Sequence, residues 1–193
     1  MAQQAGRDPA TARVVNLYIG LLRAINVTGR NKVGMASLRD LLSGCGLDDP
    51  RSLLQSGNLV FGSSDRSTAE LEGLLQTAAR ERLGLDTDFM VRTDAEWHRI
   101  VSDNPVPDAA RDDPAHLVLQ VLHAAVEHER FAGLQQAIIA REVVRGAGRH
   151  AYLVYPDGIG NSKLTYPVIA RHLGVPSTGR NWNTVLKLAA MVA

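Results

Sequence analysis

The sequence predicts an α+β fold of two ferredoxin-like halves, each of βαββαβ type with mainly antiparallel sheets, followed by a C-terminal helix. Three observations carry this. Strand-type and helix-type segments recur in the same order in both parts of the chain. An acidic, proline-rich stretch separates them, and an amphipathic segment follows the second cycle.

The first half spans residues 14–101, after a thirteen-residue start, "MAQQAGRDPATAR", read as a disordered tail because it lacks the apolar core of a signal peptide. "VVNLYIGLLRAIN" (Val14–Asn26) is aliphatic and β-branched, which suits a buried strand. In "MASLRDLLSGCG", Met35, Leu38, Leu41 and Leu42 recur at helical spacing, and Gly44 and Gly46 offer a stop. "RSLLQSGNLVFGSS" holds two short apolar runs around Ser56-Gly57-Asn58 and reads as a hairpin. "STAELEGLLQTAARERLG" opens on Ser/Thr, carries Leu71, Leu74 and Leu75 on one face and stops at Gly84. "TDFMVRT" closes the half as a strand.

Residues 102–115 read as a linker, since "SDNPVPDAARDDPAH" contains three prolines and five acidic residues or amides before the next apolar run. The second half, residues 116–193, begins with the strand "HLVLQVL" and the helix "EHERFAGLQQAI". "REVVRGAGRHAYLVY" reads as a hairpin turning at Gly146-Ala147-Gly148, and "KLTYPVIARHLG" as a helix. In "NWNTVLKLAAMV", Trp182, Val185, Leu186 and Ala189 share a helical face. The repeated order makes an internal duplication of topology plausible.

Composition narrows the function. Of the 193 residues 45% are hydrophobic and 21% charged, ordinary values for a globular chain, and the net charge is +1. A nucleic-acid reading therefore has to rest on a local cluster of charge. Cys45, alone, forms no intramolecular disulfide and sits between glycines without a basic neighbour, so an inert thiol is expected. No apolar run reaches membrane-spanning length, and the expected compartment is the cytoplasm.

The tetrapeptide Thr-Gly-Arg-Asn occurs twice, at residues 28–31 and 178–181. The copies lie at opposite ends of their halves, so they are no sign of a sequence repeat. As local chemistry they matter more. Each runs from glycine through Arg-Asn toward a predicted helix, and "GIGNSK" (residues 158–163) does the same with lysine. Free N–H groups at a helix start attract anions, glycine allows close approach, and Lys or Arg adds a full charge. Two readings stay open: each junction is an N-cap that binds nothing, or the three are walls of one anion site. The ligand-binding candidates are Arg23, Asn26, Gly29, Arg30, Asn31, Lys32, Asn58, Asn161, Ser162, Lys163, Arg180 and Asn181.

Other constellations carry less. "GIGNSK" lacks the order and spacing of a phosphate-binding P-loop, and "GAGRH" lacks the third glycine of a dinucleotide fingerprint. His123 and Glu127 straddle a predicted strand–helix boundary, so neither a metal nor a cofactor is assigned. Trp182 and the tyrosines at 152, 155 and 166 suit the core better than base stacking in a chain with 5% aromatics.

Taken in order, "LLRAINVTGRNKVGMASLRDLL", "LLQSGNLVF", "NSKL" and "GRNWNTVLKL" resemble the bacterial family catalogued as domain of unknown function 1697, over about Asn16 to Lys187. In the family's first motif, Arg-Gly-Ile-Asn-Val-Gly-Gly, two glycines are replaced here by Ala24 and Thr28, and Gly34 stands where proline is usual. Arg23, Asn26, Gly29, Asn31 and Lys32 keep the pattern. The resemblance implies an α+β fold of two ferredoxin-like halves and no defined activity. The leading functional expectation is binding of a small phosphate- or carboxylate-bearing ligand. Single-stranded nucleic-acid binding is the alternative, and an enzyme acting on the same anion is a third.

Overall fold

The structure is a computed structural model and describes residues 14–26 and 32–193. It is an α+β protein with two antiparallel sheets. The elements follow as β1 (Asn16–Leu22), α1 (Met35–Gly44), β2 (Asp48–Leu53), β3 (Asn58–Ser63), α2 (Thr68–Leu83), β4 (Phe89–Thr93), α3 (Asp94–Ser102) and α4 (Pro107–Asp112). They continue as β5 (Leu117–Val126), α5 (His128–Gln136), β6 (Val143–Val154), α6 (Tyr166–Leu173), β7 (Ser177–Asn181) and α7 (Trp182–Met191). Short 3₁₀ turns lie at Pro114–His116 and Ile159–Asn161.

The first sheet has the order β2-β3-β1-β4, the strand arrangement of a ferredoxin-like unit. Its strands β1, β3 and β4 are buried on both faces, because alternate residues feed two cores. Tyr18, Leu22, Leu59, Phe61, Phe89 and Val91 pack under α1 and α2. Ile19, Leu21, Val60 and Met90 point the other way, into a core shared with Leu119, Val121 and Tyr152 of the second sheet. Gly20 leaves room for the Phe61 ring, which stacks on Tyr18 at a centroid distance of 5.9 Å; a Cβ at Gly20 would lie 3.1 Å from that ring. β2 closes the sheet as a charged edge with Pro50 and a register shift, features that discourage further pairing.

The second sheet has the order β6-β5-β7 and is roofed on its far side by α5 and α6 through Phe131, Leu134, Ile169 and Leu173. The molecule is therefore layered as helices, sheet, sheet, helices. α3 and α7 complete the middle core with Trp97, Ile100, Trp182, Val185 and Leu188. Trp97 Nε1 donates to Val185 O at 3.1 Å, which satisfies its one polar atom inside that core.

Three details depart from the sequence expectations. The hairpin expected at 146–148 is a single strand, β6, whose bend is taken by Gly148 at φ 55°. The stretch expected to be a linker contains α4, and Val106 and Ala110 pack against the middle core. The second Thr-Gly-Arg-Asn is the body of strand β7, paired with β5 from Asn181↔Val118 to Ser177↔Leu122.

Candidate functional site

Residues marked by the sequence scatter over several places. Gly29, Arg30 and Asn31 lie outside the described residues, as does the rest of the first Thr-Gly-Arg-Asn. Lys32 is exposed and borders a shallow cleft of about 430 Å³ with Asn26 and Gln55. Asn26, at φ 54°, folds its side chain inward: Nδ2 donates to Val33 O and Gln55 O, and Oδ1 accepts from Val33 N. It spends its hydrogen bonds on holding the loop. Arg23 donates to Asp88 at 2.6 Å and lies 5.4 Å over the Tyr166 ring; the carboxylate bond raises its pKa above the ordinary arginine value.

Arg180 does not stand at a helix start. It is 7% exposed in β7, and its guanidinium donates to six acceptors: Asn58 Oδ1, Thr178 Oγ1, Gly179 O, Leu22 O, Ser56 O and Gly57 O. No carboxylate among the described residues joins this cluster, and burial pushes the Arg180 pKa down to about 10. Two candidates, Asn58 and Arg180, are thus brought together as a structural tie between the sheets. Asn181 caps α7 by accepting from Asn183 N, and its Nδ2 donates to Ala115 O at 2.7 Å. Asn161 donates to Asp157 O at 3.0 Å, and Ser162 joins Glu142 to Leu164 N. Lys163 is exposed, two residues before the Thr165 N-cap of α6. At the described junctions the polar side chains mostly stabilise turns and caps. The facing of the two halves through their sheets puts α1 and α6 in opposite outer layers.

A larger cleft, of about 1000 Å³, opens at the β6 edge between α3 and α5, and none of the described sequence candidates lines it. α3 contributes Glu96, Arg99, Ile100 and Asp103 to one wall. α5 contributes His128, Phe131, Ala132 and Gln135 to the other, and β6 runs between them from Val144 to Tyr152. The local sequence explains the shape. Thr93 and Glu96 form a reciprocal cap that fixes where α3 leaves β4. On the opposite wall the Phe131 ring lies over Gly146, where any Cβ would come within 2.3 Å of it. Gln135 reaches across to β6, accepting from Val144 N at 2.7 Å and donating to Glu142 O.

The cleft is cationic over an apolar floor. Arg92, Arg99, Arg145 and Arg149 border it against two carboxylates, Glu96 and Asp103, and Glu96 is engaged in its cap. Arg92 is 2% exposed: Nη1 donates to Val91 O, and Nη2 to Leu122 O and Arg149 O. Its Nε makes no hydrogen bond among the described residues. Burial, with repulsion from Arg149, pushes its pKa down to about 10. Buried Glu72, on α2, lies behind it, accepting from Val91 N and Arg149 Nη2, each at 2.8 Å, with Arg92 Nη1 at 3.8 Å. Arg149 is thereby fixed by a carboxylate. Arg99 forms no ion pair or side-chain hydrogen bond among the described residues, and Arg145 bonds only Gln135 and Val144 O.

Two further groups line the floor. His150 packs edge-on against Tyr152 at 5.4 Å, and burial, reinforced by Arg92, lowers its pKa so that the neutral ring prevails near pH 7. The Tyr152 hydroxyl donates to Ile100 O at 2.7 Å, and burial pushes its pKa up to about 12. No group of three or more metal-ligating side chains occurs among the described residues. The Cys45 thiol is half-buried, and burial raises its pKa, which suits an unreactive residue. Nor is any described helix long and apolar enough to cross a membrane.

Comparison with known proteins agrees with the fold. No curated protein matches the chain. Among solved structures it is similar to the conserved bacterial protein SP0830 from Streptococcus pneumoniae, at 26% identity and a TM-score of 0.71, over 93% of this chain and 100% of that one. The family described as "Protein of unknown function (DUF1697)" matches residues 15–152, from before β1 to within β6. By that match, the chain belongs to this family.

Proposed function

We propose that this protein binds an anionic ligand in the cleft between α3, α5 and β6; a bacterial, cytoplasmic setting belongs to the same reading. The observation that carries it is the set of four arginines around an apolar floor, facing two carboxylates. Arg99 and Arg145, which form no ion pair among the described residues, are the arms that meet the anion. Arg92 and Arg149 are held in place by backbone carbonyls and Glu72, so they present charge at little further entropic cost. Phe131, Ile100 and Tyr152 offer apolar contact to the body of the ligand.

The loops picked out by sequence support this function less well. Among the described residues, Asn26, Asn58, Asn161, Ser162, Arg180 and Asn181 already have partners in the protein. Nucleic-acid binding across a sheet is disfavoured too. Tyr18, Phe61, Phe89 and Tyr152, the phenylalanines and tyrosines of the strands, are buried beneath helices or between the sheets.

A thermal-shift panel of dicarboxylates, aromatic carboxylates and nucleoside monophosphates tests the proposal. A ligand present at a hundred times its Kd stabilises by about 2.7 kcal/mol. Replacing Arg99 and Arg145 together by Ser should abolish that shift while leaving the unliganded Tm within a few degrees. A panel with no hit, or a hit that survives the double substitution, refutes it.

A further inference from the structure

The second sheet is one strand short of the first. Its order is β6-β5-β7, and β6, twelve residues long, is an edge where the first sheet has the pair β3 and β2. The anion-binding cleft runs along that edge. Tyr155 N donates to His116 O at 2.9 Å, and the register pairs Val154 with Leu117 and Tyr152 with Leu119. In an antiparallel ladder the bonding direction alternates with each residue. Ala151 and Leu153 therefore direct their N–H and C=O groups at β5, whereas His150, Tyr152 and Val154 direct theirs outward. Those outward groups have no partner among the described residues. Farther up the strand, Gln135 already occupies Val144 N and Glu142 O.

From this geometry we infer that the ligand of the cleft is an extended, acidic polypeptide segment, added to β6 as the fourth strand of the second sheet. The inference rests on the anion-binding reading and names its ligand class. Strand addition supplies main-chain hydrogen bonds to His150, Tyr152 and Val154 and leaves alternate side chains on two opposite walls. The walls differ from an ordinary edge groove in charge: Arg99 on α3 and Arg145 on β6 select carboxylates, while Ile100 and Phe131 receive apolar side chains between them. β2, the outer edge of the first sheet, carries Asp48, Asp49, Pro50 and a register shift. β6 has no proline and no acidic residue along its length.

The test is an NMR titration of the ¹⁵N-labelled full chain with the capped peptide acetyl-Glu-Val-Glu-Val-Glu-Val-amide. Its companions are the same peptide N-methylated at alternate residues, a version with Lys for Glu, adenosine monophosphate and a thymidine hexanucleotide. The acidic peptide should shift and protect the amides of His150, Tyr152 and Val154. N-methylation and Lys-for-Glu exchange should each weaken it at least tenfold, as should the Arg99→Ser, Arg145→Ser protein. Equal binding of the N-methylated peptide, or no binding below about 1 mM, overturns strand addition. If adenosine monophosphate or the hexanucleotide occupies the cleft and the peptide does not, strand addition fails while the anion-binding reading survives. If none of these probes binds, strand addition fails, and the anion-binding reading fails with it only where the thermal-shift panel is also without a hit.

Discussion

Arg180→Ala separates a structural arginine from a ligand-binding one. The wild-type guanidinium holds the end of β1 through Leu22 O at 2.9 Å, the β2–β3 turn through Ser56 O at 3.0 Å and Gly57 O at 3.3 Å, and β3 through Asn58. All of these partners lie in the first sheet or its turn, and Arg180 lies in the second. Hydrogen bonds to a charged donor are worth roughly 1.5–3 kcal/mol each, but six on one group are far from additive. Truncation leaves buried carbonyls without donors and a cavity the length of the side chain. By analogy with broken buried charge clusters it costs about 3–5 kcal/mol, partly offset because the arginine was itself desolvated without a counter-ion. At roughly 2–4 °C per kcal/mol for a chain of this size, Tm falls by about 6–20 °C. Urea denaturation followed by circular dichroism measures the change directly. Combining it with Asn58→Ala should give a coupling energy of about 1–3 kcal/mol. A loss below about 1 kcal/mol, or wild-type stability with loss of anion binding, refutes the structural assignment.

Three other substitutions probe separate parts of the molecule. Glu72→Gln removes the buried carboxylate that bonds Arg149 and lies 3.8 Å from Arg92, and should cost about 3–5 kcal/mol in chemical denaturation. His150 has a folded pKa depressed below 6.5 by burial and then by Arg92, with Glu96 and Asp103 opposing. The unfolded chain therefore takes up the proton first, stability falls as pH drops below 6.5, and His150→Gln should flatten that part of the stability–pH curve. Ala24 sits at φ 50°, in the left-handed region that disfavours a Cβ, so Ala24→Gly should raise stability by up to about 1 kcal/mol, seen as a higher denaturation midpoint.

The first sheet was legible because its inner strands are aliphatic and its helices periodic, and its helices end on a glycine or start on a cap. Even the Ser67–Glu70 capping box is visible in "STAE". β7 was not legible. Its residues, Ser-Thr-Gly-Arg-Asn, contain no aliphatic side chain, and the large group it buries is an arginine whose partner Asn58 is 122 positions away. A polar strand held by a long-range cluster has no period-two hydrophobic signal to read. The Gly-Ala-Gly of β6 misled for another reason. Glycines there serve a close approach by Phe131 and a bend at Gly148, and neither need is distinguishable from a turn in linear sequence. The cleft assembles Arg92 from β4, Arg99 from α3 and Arg145 and Arg149 from β6, so only the facing of the two sheets makes them neighbours. The glycine-plus-cation loops stand out in the sequence because their chemistry is contiguous, and at the described junctions most of it is spent on capping and on loop hydrogen bonds.

Amide chemical-shift mapping with the best anion from the thermal-shift panel locates the binding site directly. Shifts should cluster on Arg99 and on residues 145–150, with Lys32 and residues 161–163 unmoved. Shifts confined to Lys32, residues 161–163 and Asn181, with the cleft silent, would contradict it and return the site to the loops first marked by the sequence.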